Sequence, residues 1–314
     1  MRPLPPDLPA LRAGGKGALA RALTALENRA GDPDLARLLD AAFAEPGGLV
    51  LGLTGPPGVG KSTLTNALIA RLRASGRRVG VIAVDPSSRR SGGALLGDRT
   101  RIETDPEDSG VFVRSMAARR RLGGLADITW PASILMRALY DWVIVETVGV
   151  GQSETEIADC ADLVVFCAQP GSGDALQFMK AGVMEMPDIV LVTKGDLGLP
   201  ARRAAADVTG ALSLAADRVP PEVAIVSSVT GEGLDAALAI IAARAGADGP
   251  GPDLAARRRA QARTWLESRL VDSFGQEGFA LLAPKLSGFD SPFSAAVALS
   301  DSARRALHLS LKNL

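Results

Sequence analysis

Residues 49–63 read LVLGLTGPPGVGKST, and the second part of that string is Gly55-Pro56-Pro57-Gly58-Val59-Gly60-Lys61-Ser62-Thr63. A short apolar run, LVLGLTG at 49–55, leads into a Gly-rich loop, and helical spacing over 61–75 follows it. The spacing is G-x-x-x-x-G-K-[ST] in the strand–loop–helix context that gives this pattern its meaning. Backbone N–H groups of so tight a loop converge on phosphate oxygens, and glycine supplies the dihedrals that the convergence requires. The helix N-terminus adds unpaired N–H groups and the positive end of its dipole. In this chemistry Lys61 reaches the β- and γ-phosphates and the Ser62 hydroxyl ligates Mg²⁺. A nucleotide-binding site over Gly55–Thr63 is expected.

Outward from the loop, short Val/Ile/Leu runs alternate with helical stretches. The apolar runs are VGVIAVD at 79–85, VFVRS at 111–115, WVIVET at 142–147, DLVVFCAQ at 162–169, DIVLVTK at 188–194 and EVAIVSS at 222–228. Continuous runs suit strands buried on both faces. Helices are expected over 61–75, 131–140, 175–185, 201–216 and 233–245. Strand–helix alternation predicts an α/β fold, a mainly parallel sheet flanked by helices, with ligands at the carboxyl ends of the strands. Ahead of it, residues 3–9 are Pro-rich and read as extended or frayed. Residues 16–30 and 34–44 have helical spacing, with Leu19, Leu23, Leu26, Leu35, Leu38, Leu39 and Phe43 on apolar faces. After the linker GADGPGP at 246–252, a basic amphipathic helix is expected from Asp253 to Phe274, while 275–314 has a weaker pattern. The expected division is a helical extension at 1–46, a P-loop domain at 47–246 and a helical arm at 247–314.

Composition removes several classes. The chain has 314 residues, 47% of them hydrophobic, with 35 basic and 35 acidic side chains and a formal net charge of zero. It can bury a core, and no global basic field points to nucleic acid or an anionic membrane. One His and two Cys, Cys160 and Cys167, argue against His-based zinc chemistry, a Ser–His–Asp triad and a disulfide framework. The N-terminus lacks the pattern of a secretory signal, and no run approaches a membrane span, so a cytoplasmic protein is expected.

The other strand ends carry chemistry in the pattern of a nucleoside triphosphatase. Asp85 ends the second run before Pro86, where an acidic residue serves either Mg²⁺ or a turn. Residues 91–101, SGGALLGDRTR, set Asp98, Arg99 and Arg101 in a Gly-rich loop that can order around a γ-phosphate or stand solvated. Glu146 ends the fourth run, in a position for metal or for capping. Gly149 beyond it can donate its N–H to the γ-phosphate, and Gln152 can orient water. Thr193-Lys194-Gly195-Asp196 ends the sixth run. A carboxylate there accepts two hydrogen bonds from guanine N1–H and the 2-amino group, a pair adenine lacks. Lys194 would lay its stem along the base. Backbone N–H groups of Ser227-Ser228-Val229 are expected near the guanine O6.

These residues together resemble the methylmalonyl-CoA mutase-associated GTPases, the MeaB/ArgK-like branch of the P-loop GTPases. The resemblance rests on GPPGVGKST, VDPSSRRSGGALLGDRTR, VETVGVGQSE, QPGSGDALQFMKAG and TKGD, and covers roughly residues 10–270. It implies a GTP-hydrolysing chaperone of an adenosylcobalamin-dependent acyl-CoA mutase, gating cobalamin delivery and protecting the mutase, with Mg²⁺ and GTP or GDP bound. It implies that Lys61, Ser62, Asp85, Asp98 and Glu146 do the phosphate and Mg²⁺ work, that Arg101 steadies the phosphate-side loop, and that 170–182 couples nucleotide state to the mutase. It also makes the helix after residue 250 a dimerisation arm. An apolar stripe of Leu254, Trp265, Leu266, Leu270 and Val271 beside Arg257, Arg258, Arg259 and Arg263 needs a covering surface. A second copy is expected, and the chain's own P-loop domain is the alternative. Two positions depart from the family: Thr193 stands where Asn is usual, and Met116–Arg121 replaces a Ser- and Pro-rich stretch before Leu122-Gly123-Gly124. Besides a generic P-loop GTPase with a different protein partner, the alternative functions are a metallochaperone-type GTPase, a targeting GTPase and a kinase of transport components. Cys and His scarcity, the scattered Met and the TKGD string weigh against these in turn.

Overall fold

The computed structural model describes residues 4–29, 31–45, 47–86, 102, 104–105, 107–118, 126–147, 156–171, 187–213, 220–246, 252–286 and 290–312. Three helices lead: α1 Leu8–Ala13, α2 Gly15–Asn28 and α3 Pro33–Ala44. The central part runs β1 Leu49–Thr54, α4 Lys61–Ala74, β2 Val79–Pro86, β3 Val111–Ala118, α5 Ala126–Arg137, β4 Trp142–Thr147, β5 Leu163–Ala168 and β6 Ile189–Val192. It continues with α6 Leu199–Leu212, β7 Glu222–Ile225 and α7 Leu234–Ala245, and closes with α8 Pro252–Leu282 and α9 Pro292–Lys312. All seven expected strands are present. They form one sheet in the order β3-β2-β4-β1-β5-β6-β7, every pair parallel.

The strands alternate their side chains between two apolar layers. Leu51, Leu53, Val81, Ile144 and Val165 point to the face covered by α4 and α7. Val50, Ile82, Val143, Val145 and Val164 point to the opposite face, where α5 lies together with α1–α3 and part of α8. Farther along that second face, Phe166, Val190 and Val192 are covered by α6. The terminal helices thus complete the sheet's cover.

Trp130 of α5 is the centre of that junction. Its ring lies 5.9 Å from Phe43 of α3, 5.4 Å from Trp265 of α8 and 5.2 Å from Phe293 of α9. Asp40 of α3 caps α9, accepting from the Phe293 and Ser294 amides at 3.0 and 2.9 Å.

This arrangement corrects the reading of the arm. Leu254, Leu266 and Leu270 are buried within this chain. The arginines beside them are engaged in the same way: Arg257 lies 3.0 Å from Asp188, and Arg258 donates to both oxygens of Asp162 at 2.7 and 2.6 Å. The stripe is covered in cis, so it supplies no argument for a second copy. Cutting after Gly246 would remove Trp265 and Phe293 from a shared core. Three smaller corrections follow. Leu8–Ala13 is helical, not extended, because the Asp7 carboxylate caps the Ala10 amide at 2.8 Å. The helix expected from Pro131 starts at Ala126 and holds Pro131 inside it. The stretch from Met116 that departs from the family pattern begins as strand, unlike what a Ser- and Pro-rich stretch in its place suggests, with Met116 in the core. Residues 119–125 and the helix expected at 175–185 lie outside the described residues.

The Asp162–Arg258 pair joins the arm to the sheet's amino edge. Asp162 also accepts from the Val50 amide of β1 at 2.8 Å, and Arg258 donates to the Gly48 carbonyl at 2.9 Å. A second buried cation stands nearby: burial, then repulsion from Arg258, lowers Arg137 to about 10, against the pull of Asp162. Removing that one negative charge leaves buried guanidinium groups uncompensated. Asp162→Asn should therefore lose about 3–5 kcal/mol of stability. Urea denaturation followed by circular dichroism checks this, and a loss under 1 kcal/mol would show the pair to be energetically idle.

Candidate functional site

The loop between β1 and α4 stands at the carboxyl edge of the central strand. Gly55 takes φ 138°, and a Cβ there would run into the Cys167 carbonyl oxygen of β5. Gly60, with φ 98°, turns the chain into α4 as its N-cap. Val59 between them is fully buried and anchors the loop to the layer under α4. Lys61 opens the helix and is almost fully buried. Its ammonium crosses its own loop, donating to the carbonyls of Gly55 at 2.6 Å and Pro56 at 3.0 Å. Gly58 and Pro57 form the exposed crest of the loop.

Glu146 meets the helix from β4. Leu53 pairs with Glu146 across the β1–β4 ladder, which brings this carboxylate level with the base of the loop. Ser62 Oγ donates to Glu146 Oε1 at 2.6 Å and Thr65 Oγ1 donates to Glu146 Oε2 at 2.8 Å. A hydroxyl and a carboxylate side by side form the hard oxygen donor set that suits Mg²⁺. The residues present therefore fit the ion, with Ser62 and Glu146 as the groups that would hold it or its waters. Asp85 belongs to the end of β2, two residues past Ala83, which pairs with Glu146. The Asp98, Arg101, Gly149 and Gln152 assignments, and most of the 170–182 loop, lie outside the described residues.

The base side is built from β6, β7 and the turns after them. Lys194 has φ 56°, and its ammonium reaches Gly58 O at 3.3 Å and Gln169 Oε1 at 2.5 Å. Its stem thus runs back from β6 toward the phosphate loop. The Thr193 hydroxyl lies 2.7 Å from Val59 O and 3.0 Å from Ala168 O. Although shorter than an Asn amide, it reaches both the phosphate loop and β5. Asp196 Oδ1 accepts from the buried Ser227 hydroxyl at 2.7 Å. Ser227 also corrects an expectation. Its amide donates to Glu232 O at 2.9 Å, closing its own turn, so it does not face guanine O6. Ser227 acts here through its side chain, and Val229 beyond it is exposed.

Both cysteines are buried. Burial pushes the Cys167 thiol up to about 12, opposed by Lys61 and helped by Glu146. Cys160 is also raised, by burial and then by Asp159 and Glu156. Thiols held protonated are poor metal ligands. Sequence reasoning missed Thr65, Gln169 and the side-chain role of Ser227. Thr65 had a signal: it lies three residues after Ser62 on one helix, so both hydroxyls share a face.

The sequence profile described as methylmalonyl-CoA mutase-associated GTPase MeaB matches residues 19–280. The chain belongs to this family of GTPases. A putative GTPase of Pyrococcus horikoshii is 45% identical over 212 residues, 67% of this chain and 64% of that protein. The mouse protein named methylmalonic aciduria type A homolog, mitochondrial, is 44% identical over 190 residues, 59% of this chain and 46% of that one. A crystal structure described as a LAO/AO transport system kinase matches with a TM-score of 0.62 and 31% identity, covering 95% of this chain and 96% of that one. The MeaB-type chain is thus a P-loop GTPase in fold and family.

The base-side geometry yields a test. If Asp196 accepts from guanine N1–H and the 2-amino group, Asp196→Asn turns one acceptor into a donor. Xanthine has a carbonyl where guanine has its amino group, so the variant should prefer XTP over GTP. The swing should be on the order of a few kcal/mol, because a mismatch leaves buried polar groups unpaired. Ser227→Ala should weaken GTP by about 1 kcal/mol. Competition binding with GTP, ATP and XTP decides it; equal GTP and ATP affinity, unchanged in Asp196→Asn, would show that these residues do not read the base.

Proposed function

We propose that this GTPase is a Mg²⁺-dependent chaperone of an adenosylcobalamin-dependent acyl-CoA mutase, working in the cytoplasm. The Glu146 carboxylate held against Ser62 at the phosphate loop carries the nucleotide half of this reading. The family's description and the mouse relative's printed name support the mutase half.

In this reading, backbone N–H groups of Gly58–Ser62 and the Lys61 ammonium hold the phosphates, and Asp196, oriented by Ser227, selects guanine. Mg²⁺, when bound, neutralises charge between the β- and γ-phosphates. Ser62 offers it a hydroxyl, and Glu146 orients that hydroxyl as an acceptor. Asp85, Asp98 and Arg101 complete the phosphate side, with Gly149 and Gln152 meeting the γ-phosphate and water. Intrinsic turnover is slow, because GTPases of this class gain much of their rate from groups a partner supplies. The substrate-mutase chaperone gates cofactor delivery and protects the mutase. A homodimer belongs to the same reading by family likeness, formed through surfaces other than the buried stripe of α8.

Affinity capture from the native organism tests the assignment. The chain is loaded with a non-hydrolysable GTP analogue or with GDP, and bound proteins are identified. A cobalamin-dependent acyl-CoA mutase should be recovered, with an amount that depends on the nucleotide. Capture in which no such mutase appears in either state would overturn the chaperone assignment and leave the GTPase.

A further inference from the structure

A threonine inside a helix can turn its hydroxyl back to the carbonyl four residues earlier. Among the described residues the half-buried Thr24 does so to Ala20 O and the exposed Thr209 to Ala205 O, each at 2.8 Å. Thr65 does something else. It is fully buried on α4, beside Leu64 and Leu68, on a helix that packs against β4. Its Oγ1 crosses to Glu146 Oε2 at 2.8 Å. A threonine hydroxyl has one proton, so a bond to the carboxylate is made in place of the backbone bond. Ser62 takes the other oxygen, Oε1, at 2.6 Å. Two hydroxyls, one turn apart on one helix, thus hold both oxygens of a single carboxylate on the neighbouring strand.

We propose that Thr65 is a positioning residue of the Mg²⁺–nucleotide site, acting through Glu146. The reasoning is geometric. Ser62 holds one oxygen of the carboxylate and Thr65 the other, and two fixed oxygens fix the plane of the group. A carboxylate oxygen that accepts a hydroxyl proton has a second lone pair that can face an ion or its waters. The Thr65 bond also holds Glu146 in place when the Ser62 oxygen turns toward a cation. Thr65 itself, behind the carboxylate and sealed by leucines, touches neither ion nor nucleotide. Its loss should therefore weaken Mg²⁺ and spare the Mg²⁺-independent contacts of the nucleotide.

This inference rests on the GTPase reading, and the test separates the two. Thr65→Val keeps the shape and removes the donor; Thr65→Ser keeps the donor. A fluorescent GTP analogue is titrated with Mg²⁺, and separately bound in EDTA, for the full chain and each variant. Thr65→Val should raise the Mg²⁺ half-saturation about tenfold, the scale of one charge-assisted hydrogen bond. Its affinity for nucleotide in EDTA should stay within about twofold, and Thr65→Ser should recover most of the Mg²⁺ response. If Thr65→Val fails to fold, Thr65→Cys, of similar size and with a weak donor, replaces it and should show the same weakened response. A wild-type Mg²⁺ response in the donor-deficient variant, or a Thr65→Ser variant as impaired as Thr65→Val, overturns the role of Thr65 while the GTPase reading stands. A wild-type chain whose nucleotide binding ignores Mg²⁺ overturns the role of Thr65 together with the Mg²⁺ dependence in the proposed function.

Discussion

A parallel sheet can leave neither face to water, and that constraint organises this chain. On one side of the sheet, α4 and α7 lie over the strands around β1 and form a closed layer. On the other, α5 and α6 leave an apolar surface between them and beyond them. Helices α1–α3 from one end of the chain and α8–α9 from the other cover it, and their side chains enter the same core as those of β1, β2 and β4. The terminal segments are separated in sequence by the whole sheet, yet Asp40 of α3 caps α9 and Phe43 reaches Trp130 beside Phe293. They are parts of one layer. The Asp162–Arg258 pair then pins that layer to the amino edge of the sheet, opposite the phosphate loop.

At the carboxyl edge the same sheet performs a different task. Strand order places β1 between β4 and β5, so the loop leaving β1 is flanked by both. From β4 comes Glu146, level with Leu53; from β5 comes the Cys167 carbonyl, on which Gly55 closes. One strand farther, Thr193 and Lys194 reach back to Val59 and Gly58 of the loop. Phosphate side and base side are therefore linked through the loop's own carbonyls. This is a direct consequence of register: each contributing residue stands at the end of its strand or just beyond it.

Much of this was legible in the sequence because the strands are short, continuous apolar runs and the phosphate loop has a fixed spacing. LVLGLT, VGVIAVD and WVIVET could be read without ambiguity as strands buried on both faces. What failed was local competition with a tertiary contact. Pro-rich residues 3–9 pointed to an extended segment, and Asp7 capped a helix within it. Pro131 looked like a helix start, and it sits in the middle of α5. The basic apolar stripe of α8 was visible, but periodicity gives a face and not its partner; only the fold shows that Asp162 and Asp188 wait for Arg258 and Arg257. Ser227 was placed in the right turn with the wrong group, since the pairing of its amide with Glu232 is a property of the turn's closure.

The family's nucleotide chemistry and its partner chemistry are separated in the same way. Lys61, Ser62 and Glu146 lie on a strand end and on the first turn of a helix, where backbone register fixes them, and Asp196 lies in the short turn after β6. The segments that follow β2, β4 and β5, at 87–101, 148–155 and 172–186, carry the strings that mark this family within the P-loop GTPases. All three leave the sheet from strands within two places of β1, beside the loop that holds the phosphates. A γ-phosphate at that loop is therefore adjacent to the roots of all three at once. The carboxyl edge of the sheet thus carries the phosphate loop and the roots of these segments, and the amino edge carries the Asp162–Arg258 clamp.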